Sequence, residues 1–136
     1  MQNIHFKFVQ PLITFERMKL RTVQKKQVIA LWRNDADNYL KDFKSMKSIM
    51  LVNRKYIAQE VKSKMILGSM ENVLKEKVFT SDTREKMNNR NKVVLSDIFS
   101  VDGKFYFAII TPVANYGYIV AINNLNEFLN TVLSSV

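Results

Sequence analysis

Cysteine is absent from this chain of 136 residues, histidine occurs once, proline twice and glycine three times. Without cysteine there is no disulfide, no thiolate zinc site and no thiol nucleophile. The lone histidine, His5, excludes a multi-histidine metal site and removes most histidine-based acid–base catalysis. The three glycines, Gly68, Gly103 and Gly117, are too scattered to form a phosphate-cradling loop. No run of five basic residues occurs, so no basic tail for nucleic acid is present. No Pro/Ser-rich linker and no internal repeat divides the chain, which reads as one domain.

What is present is ordinary globular material. Apolar residues make up 47% and charged residues 24%, enough for a hydrophobic core and inconsistent with a disordered tail. The net charge of +9 is the unusual number. It points to a polyanionic partner, an anionic surface or a solvated basic face. Its distribution narrows the choice. Residues 1–92 hold 20 basic and 9 acidic residues, a balance of +11, while residues 93–136 hold one basic and three acidic, a balance of −2. A basic, helical first part therefore joins a nearly uncharged second part.

Residues 105–126 carry no formal charge and are long enough to span a membrane. Their content argues for two strands instead. Phe105, Tyr106, Phe107, Ile109, Ile110 and Val113 favour β-structure, as do Tyr118, Ile119, Val120 and Ile122. Pro112, Asn115 and Gly117 interrupt them, so a turn through Ala114–Gly117 is expected. The first residues carry charges every few positions and lack a signal-peptide core, so the chain itself is expected to be soluble.

Pro11 opens a predicted helix from Leu12 to Lys25, with Phe15, Met18, Leu20 and Val23 at helical spacing. A polar stretch, Gln24–Gln27, is expected to end it. A second helix is predicted over Val28–Phe43, with Ile29, Trp32, Ala36, Tyr39, Leu40 and Phe43 as one apolar stripe. Ser48–Val52 reads as a buried strand, Asn53–Lys55 as a turn and Tyr56–Val61 as a second strand. Residues 63–80 give mixed helical signals. Ser81 or Asp82 is a candidate cap for a polar helix to Asn91, with Glu85 in capping-box register. Val93–Phe99, Lys104–Val113 and Tyr118–Ile122 follow as strands, with Asp102-Gly103 as a hairpin turn. Asn123 or Asn124 caps a final helix carrying Leu125, Phe128, Leu129, Val132 and Leu133. The expectation is an α+β domain: five antiparallel strands with helices covering one face. Its parts are an N-terminal helical region 1–45, the sheet and crossing helices 46–122, and a terminal helix 123–136.

Four segments carry a family resemblance. They are Phe15-Glu16-Arg17-Met18; Trp32 to Phe43, with Asp35-Ala36 and Tyr39-Leu40; Met46 to Asn53 followed by Tyr56; and Val94 to Asp97 through Gly103-Lys104-Phe105 to Thr111-Pro112-Val113. Together they resemble the extracytoplasmic PAS-like (CHASE or Cache-like) sensor domains of bacterial and archaeal histidine kinases and diguanylate cyclases, over about residues 15–125. Gln59-Glu60 and Ser63 stand where that family usually has Arg-Trp and Pro, and Asn53 replaces its turn aspartate.

The resemblance implies a PAS-like five-stranded sheet with a long N-terminal helix, and a small-molecule pocket between sheet and helices. Signals would leave through the terminal helices. Ligand-binding candidates are Tyr56, Phe105, Phe107, Thr111, Tyr116 and Tyr118, with Ile109 beside them. The resemblance also implies a homodimer through the N-terminal helix and an extracytoplasmic location in a membrane receptor, whose spanning segments lie outside this chain. The expected chain is an excised sensory module or a free-standing relative.

Chemistry is not expected. Asp35 and Asp37 are two apart on a helix and do not share a face. Asp97 and Asp102 sit at a strand end and in a turn, where aspartate serves the backbone. Ser96 has no histidine partner identifiable in sequence. The chain is therefore read as non-enzymatic, with no catalytic residue, no metal and no cofactor. The rival reading is a basic module binding a polyanion or a protein partner through Lys41, Lys44, Lys47, Arg54, Lys55, Lys62 and Lys64. Nucleic acid is disfavoured as that partner.

Overall fold

The computed structural model describes residues 25–64, 68–88, 92–113 and 116–134, with backbone alone for residues 25–31. All of the expected helix Leu12–Lys25 except Lys25, its dimer contact, His5, Met65–Leu67 and the turn residues Ala114 and Asn115 lie outside the described residues.

Helix α1 spans Lys25–Asp42. It includes Lys25, Lys26 and Gln27, which were expected to break the helical run. Trp32, Ala36 and Leu40, four residues apart, form its buried stripe. Strands β1 (Met46–Asn53) and β2 (Ala58–Ser63) follow. A short helix α2 (Met70–Asn72) continues as a π-helical segment, Val73–Val78. Helix α3 spans Ser81–Asn88. Strands β3 (Val94–Leu95), β4 (Phe99–Val101), β5 (Lys104–Val113) and β6 (Gly117–Asn124) complete the sheet, and α4 spans Leu125–Ser134.

All pairings are antiparallel, in the order β2-β1-β6-β5-β3, with β4 also on β5. The expected strand Val93–Phe99 is thus broken in two, giving six strands among the described residues. Ser96 breaks it. Its N–H donates to the Ala108 carbonyl and its hydroxyl accepts from the Ala108 N–H, both at 2.8 Å. A side chain takes a backbone carbonyl's place, so Ser96–Ile98 stand opposite only Phe107 and Ala108. The β4–β5 connection is the Asp102-Gly103 turn, with φ of +52° and +76°. Two consecutive positive φ values mark the hairpin turn whose twist matches that of the strands.

Helices cover both faces, not one. Ile49, Leu51, Phe107, Ile109, Ile119 and Ala121 pack under α1 and α4. The alternate residues Met50, Val52, Tyr106, Ala108, Ile110, Val120 and Ile122 pack with Val73, Leu74, Val78 and Phe79. This explains the unbroken apolar runs Ile49–Val52 and Ile119–Ile122: a strand buried on both faces has no polar side to alternate.

The junction between the two ends of the fold is polar and buried. The Ser45 hydroxyl donates to Asn123 Oδ1 at 3.2 Å. The Asn124 N–H donates to the Ser45 carbonyl, and Asn124 Oδ1 caps α4 by accepting from the Glu127 N–H at 3.0 Å.

Candidate functional site

The β1–β2 turn is built on Asn53. Its side-chain oxygen accepts from the Lys55 and Ile57 N–H groups at 2.9 and 3.1 Å, while its carbonyl accepts from the Tyr56 N–H. Tyr56 is thereby held at φ +66°, outside β2 where it was expected. Left-handed backbone costs a bulky residue about 1–2 kcal/mol. Ring packing offsets that cost: the Tyr56 ring lies 4.6 Å from Phe79 and is stacked 5.9 Å from Tyr118. Burial, then the neighbouring Tyr56, push the Tyr118 hydroxyl above its usual pKa.

Helix α3 lies beside this cluster. Thr80 caps it, one residue earlier than expected: its hydroxyl accepts from the Thr83 N–H at 3.3 Å. Thr80 also donates to Asp97 Oδ2 at 3.3 Å, and Lys86 pairs with Asp97 Oδ1 at 3.8 Å. Asp97, in the strand break, therefore anchors α3 from two points. Sequence reasoning gave Asp97 only a strand-end role. The signal for more was the Ser96-Asp97 pair inside an otherwise apolar strand.

Two clefts flank α3. One, of about 680 Å³, lies between Asp82, Glu85 and Lys86 on the helix and Lys92–Leu95 along β3. The other, of about 310 Å³, is lined by Tyr56, Ser81, Arg84, Glu85 and Asn88. Both present groups of each charge sign, and the larger adds the apolar Val93, Val94 and Leu95. Such walls suit a small polar molecule with an apolar part. Among the described residues, no three His, Cys, Asp or Glu side chains gather as for a metal ion.

The six ligand-binding candidates do not converge. Tyr56 and Tyr118 meet on the α3 side of the sheet. Phe107 and Tyr116 lie on the α1 side, and Thr111 shares the Phe107 side of β5. Phe107 packs edge-on against Phe128 at 5.0 Å, and Thr111 is wholly buried. Burial raises the Tyr116 hydroxyl pKa, with a further push from Glu60. Phe105 is half exposed at the hairpin end of β5, and Ile109 is core.

The basic residues are equally dispersed. Lys47 pairs with Glu127 at 2.6 Å, Lys62 faces Asp37 at 3.7 Å, and Lys64 Nζ donates to the Phe43 carbonyl at 2.9 Å. Burial, then Lys47, lower the Lys64 pKa. Lys41, Lys44, Arg54 and Lys55 are exposed. Among the described residues, no helix is long and apolar enough to cross a membrane.

The fold and the clefts define a class only: an α+β domain with a two-sided antiparallel sheet. No protein-family model matches the chain, and no curated protein does.

Proposed function

We propose that the chain is a ligand-sensing module of a membrane signal-transduction receptor. It binds a small molecule between the sheet and α3 and passes the change along its terminal helices. The observation that carries this reading is Tyr56. A bulky residue at positive φ, packed on Phe79 and Tyr118 and lining a cleft with Arg84, is strain held at a concave surface. Strand order adds support: β3 and β4 lie end to end along β5, so six strands occupy five positions. This is compatible with the PAS-like sheet that the resemblance implies.

The reading is non-enzymatic and places the module outside the cytoplasm. A thermal-shift screen against amino acids, carboxylates and purines tests it. One class is expected to raise the melting temperature of the wild type and to lose that effect in Tyr56→Ala. If no compound stabilises the wild type, small-molecule sensing is not the role of this domain.

A further inference from the structure

Strand β3 ends the sheet. The cleft of about 680 Å³ lies along it, with Asp82, Glu85 and Lys86 of α3 on one wall and Lys92–Leu95 on the other. The Ser96 N–H donates to the Ala108 carbonyl, so Ser96 and, two residues earlier, Val94 turn their backbone groups toward β5. Val93 and Leu95 therefore turn theirs outward, at the margin where these residues line the cleft. Outward N–H and C=O groups on an edge strand are a template for one more strand.

The charges along the cleft run from negative to positive. Thr80, at the start of α3, bonds Asp97, and Asn88, at its end, is joined to Lys92 through only three residues. Helix and strand are therefore antiparallel. Asp82, in the first turn of α3, lies toward the Asp97 end, and Lys92 lies at the other. Lys86 is drawn to Asp97 at 3.8 Å, which leaves the acidic end its sign.

We propose that this cleft binds a short free peptide, laid as an extended strand antiparallel to β3. Lys92–Leu95 spans about 13 Å, the length of about four extended residues. The peptide bonds the outward groups of Val93 and Leu95, as in strand addition to a sheet edge. Its N-terminal ammonium then lies toward Asp82 and its C-terminal carboxylate toward Lys92. A parallel peptide would reverse both ends and meet like charges. The site is across α3 from Tyr56 and stands whether or not the cleft at Tyr56 takes a ligand.

The probe is the tetrapeptide Val-Thr-Val-Thr with free termini, whose residues favour extended backbone, titrated into isotope-labelled protein. The amide protons of Val93 and Leu95 are expected to shift downfield and to exchange more slowly with solvent, while those of α1 stay in place. Only alternate amides of a strand face its neighbour. N-methylation of the middle peptide nitrogen and of the two flanking it should therefore have opposite results, one abolishing binding and the other leaving it. Acetylating and amidating the termini weakens binding about tenfold, the effect of losing two exposed ion pairs. Tyr56→Ala leaves peptide binding unchanged, although it removes stabilisation by any ligand of the Tyr56 cleft. Unmoved Val93 and Leu95 amides at millimolar peptide, equal effects of the two methylation patterns, or no loss on blocking the termini overturns the proposal.

Discussion

Arg33 on α1 is ion-paired with Glu60 on β2, 27 residues away in sequence. One helical turn further, Asp37 faces Lys62 with the charges reversed. Four helical residues rise about 6 Å and two strand residues about 6.6 Å, so the two pairs stay in step. Glu60 thereby sets α1 on the edge strand.

Both pairs are substantially exposed, Arg33 at 59% and Asp37 at 67%, so each is worth about 0.2–1 kcal/mol. Glu60→Arg is expected to lower stability by about 1 kcal/mol, and adding Arg33→Glu to recover most of it. Urea midpoints at low and high salt check this, and high salt should shrink the coupling. A double variant no more stable than Glu60→Arg alone would show that the pair contributes nothing.

Gly117 pairs with Asn53 on one side and Val113 on the other. A Cβ there would lie 2.1 Å from the Val52 carbonyl oxygen, with φ at +154°. The clash is with backbone of the central β1–β6 pair, which cannot yield cheaply. Gly117→Ala is expected to cost more than about 4 kcal/mol or abolish folding. Gly103→Ala, strained in φ but facing open space, is expected to cost only about 1 kcal/mol. Similar melting temperatures for the two variants would contradict this account.

Burial is the first cause raising the hydroxyl pKa of Tyr106, Tyr116 and Tyr118. Unfolded tyrosine titrates near pH 10, below these folded values, so the native state holds its protons longer. The resulting stability is present below about pH 10 and is lost as pH rises through the folded values. Lys64, lowered by burial, acts in the opposite sense but is one group against three. Phenolate absorbance should lag in native protein relative to urea-unfolded protein. Coincident titration curves would refute this.

No residue of α4 is fully buried, and Phe128 on Phe107 is its aromatic anchor. Phe128→Ala is expected to cost about 2 kcal/mol, less than for a fully buried ring. Hydrogen exchange should quicken first in Leu125–Ser134, with β1, β5 and β6 still protected. Uniform acceleration across sheet and helix would mean that α4 is no independent unit.

The legible parts of the fold were those fixed by local chemistry. The α1 stripe from Trp32 to Leu40, the Asp102-Gly103 turn and the span of β5 follow from period, turn geometry and β-propensity alone. Tyr56 entered the candidate site as a strand residue. Its left-handed backbone could not be read, because it depends on Asn53 bonding to Lys55 and Ile57 and on rings brought in from Phe79 and Tyr118. The break at Ser96 was hidden for the same reason, since it needs Ala108 on the opposite strand.

Composition and periodicity are local properties, and they suffice for an α+β chain without cysteine, with a basic first part and a nearly uncharged second part. Tertiary structure alone decided that helices cover both faces, which splits the six candidate residues into separate groups. It also decided that Asp97 anchors α3 and that Glu60 answers Arg33. Each of these depends on which strand lies beside which, and pairing across the sheet joins residues that sequence spacing keeps apart.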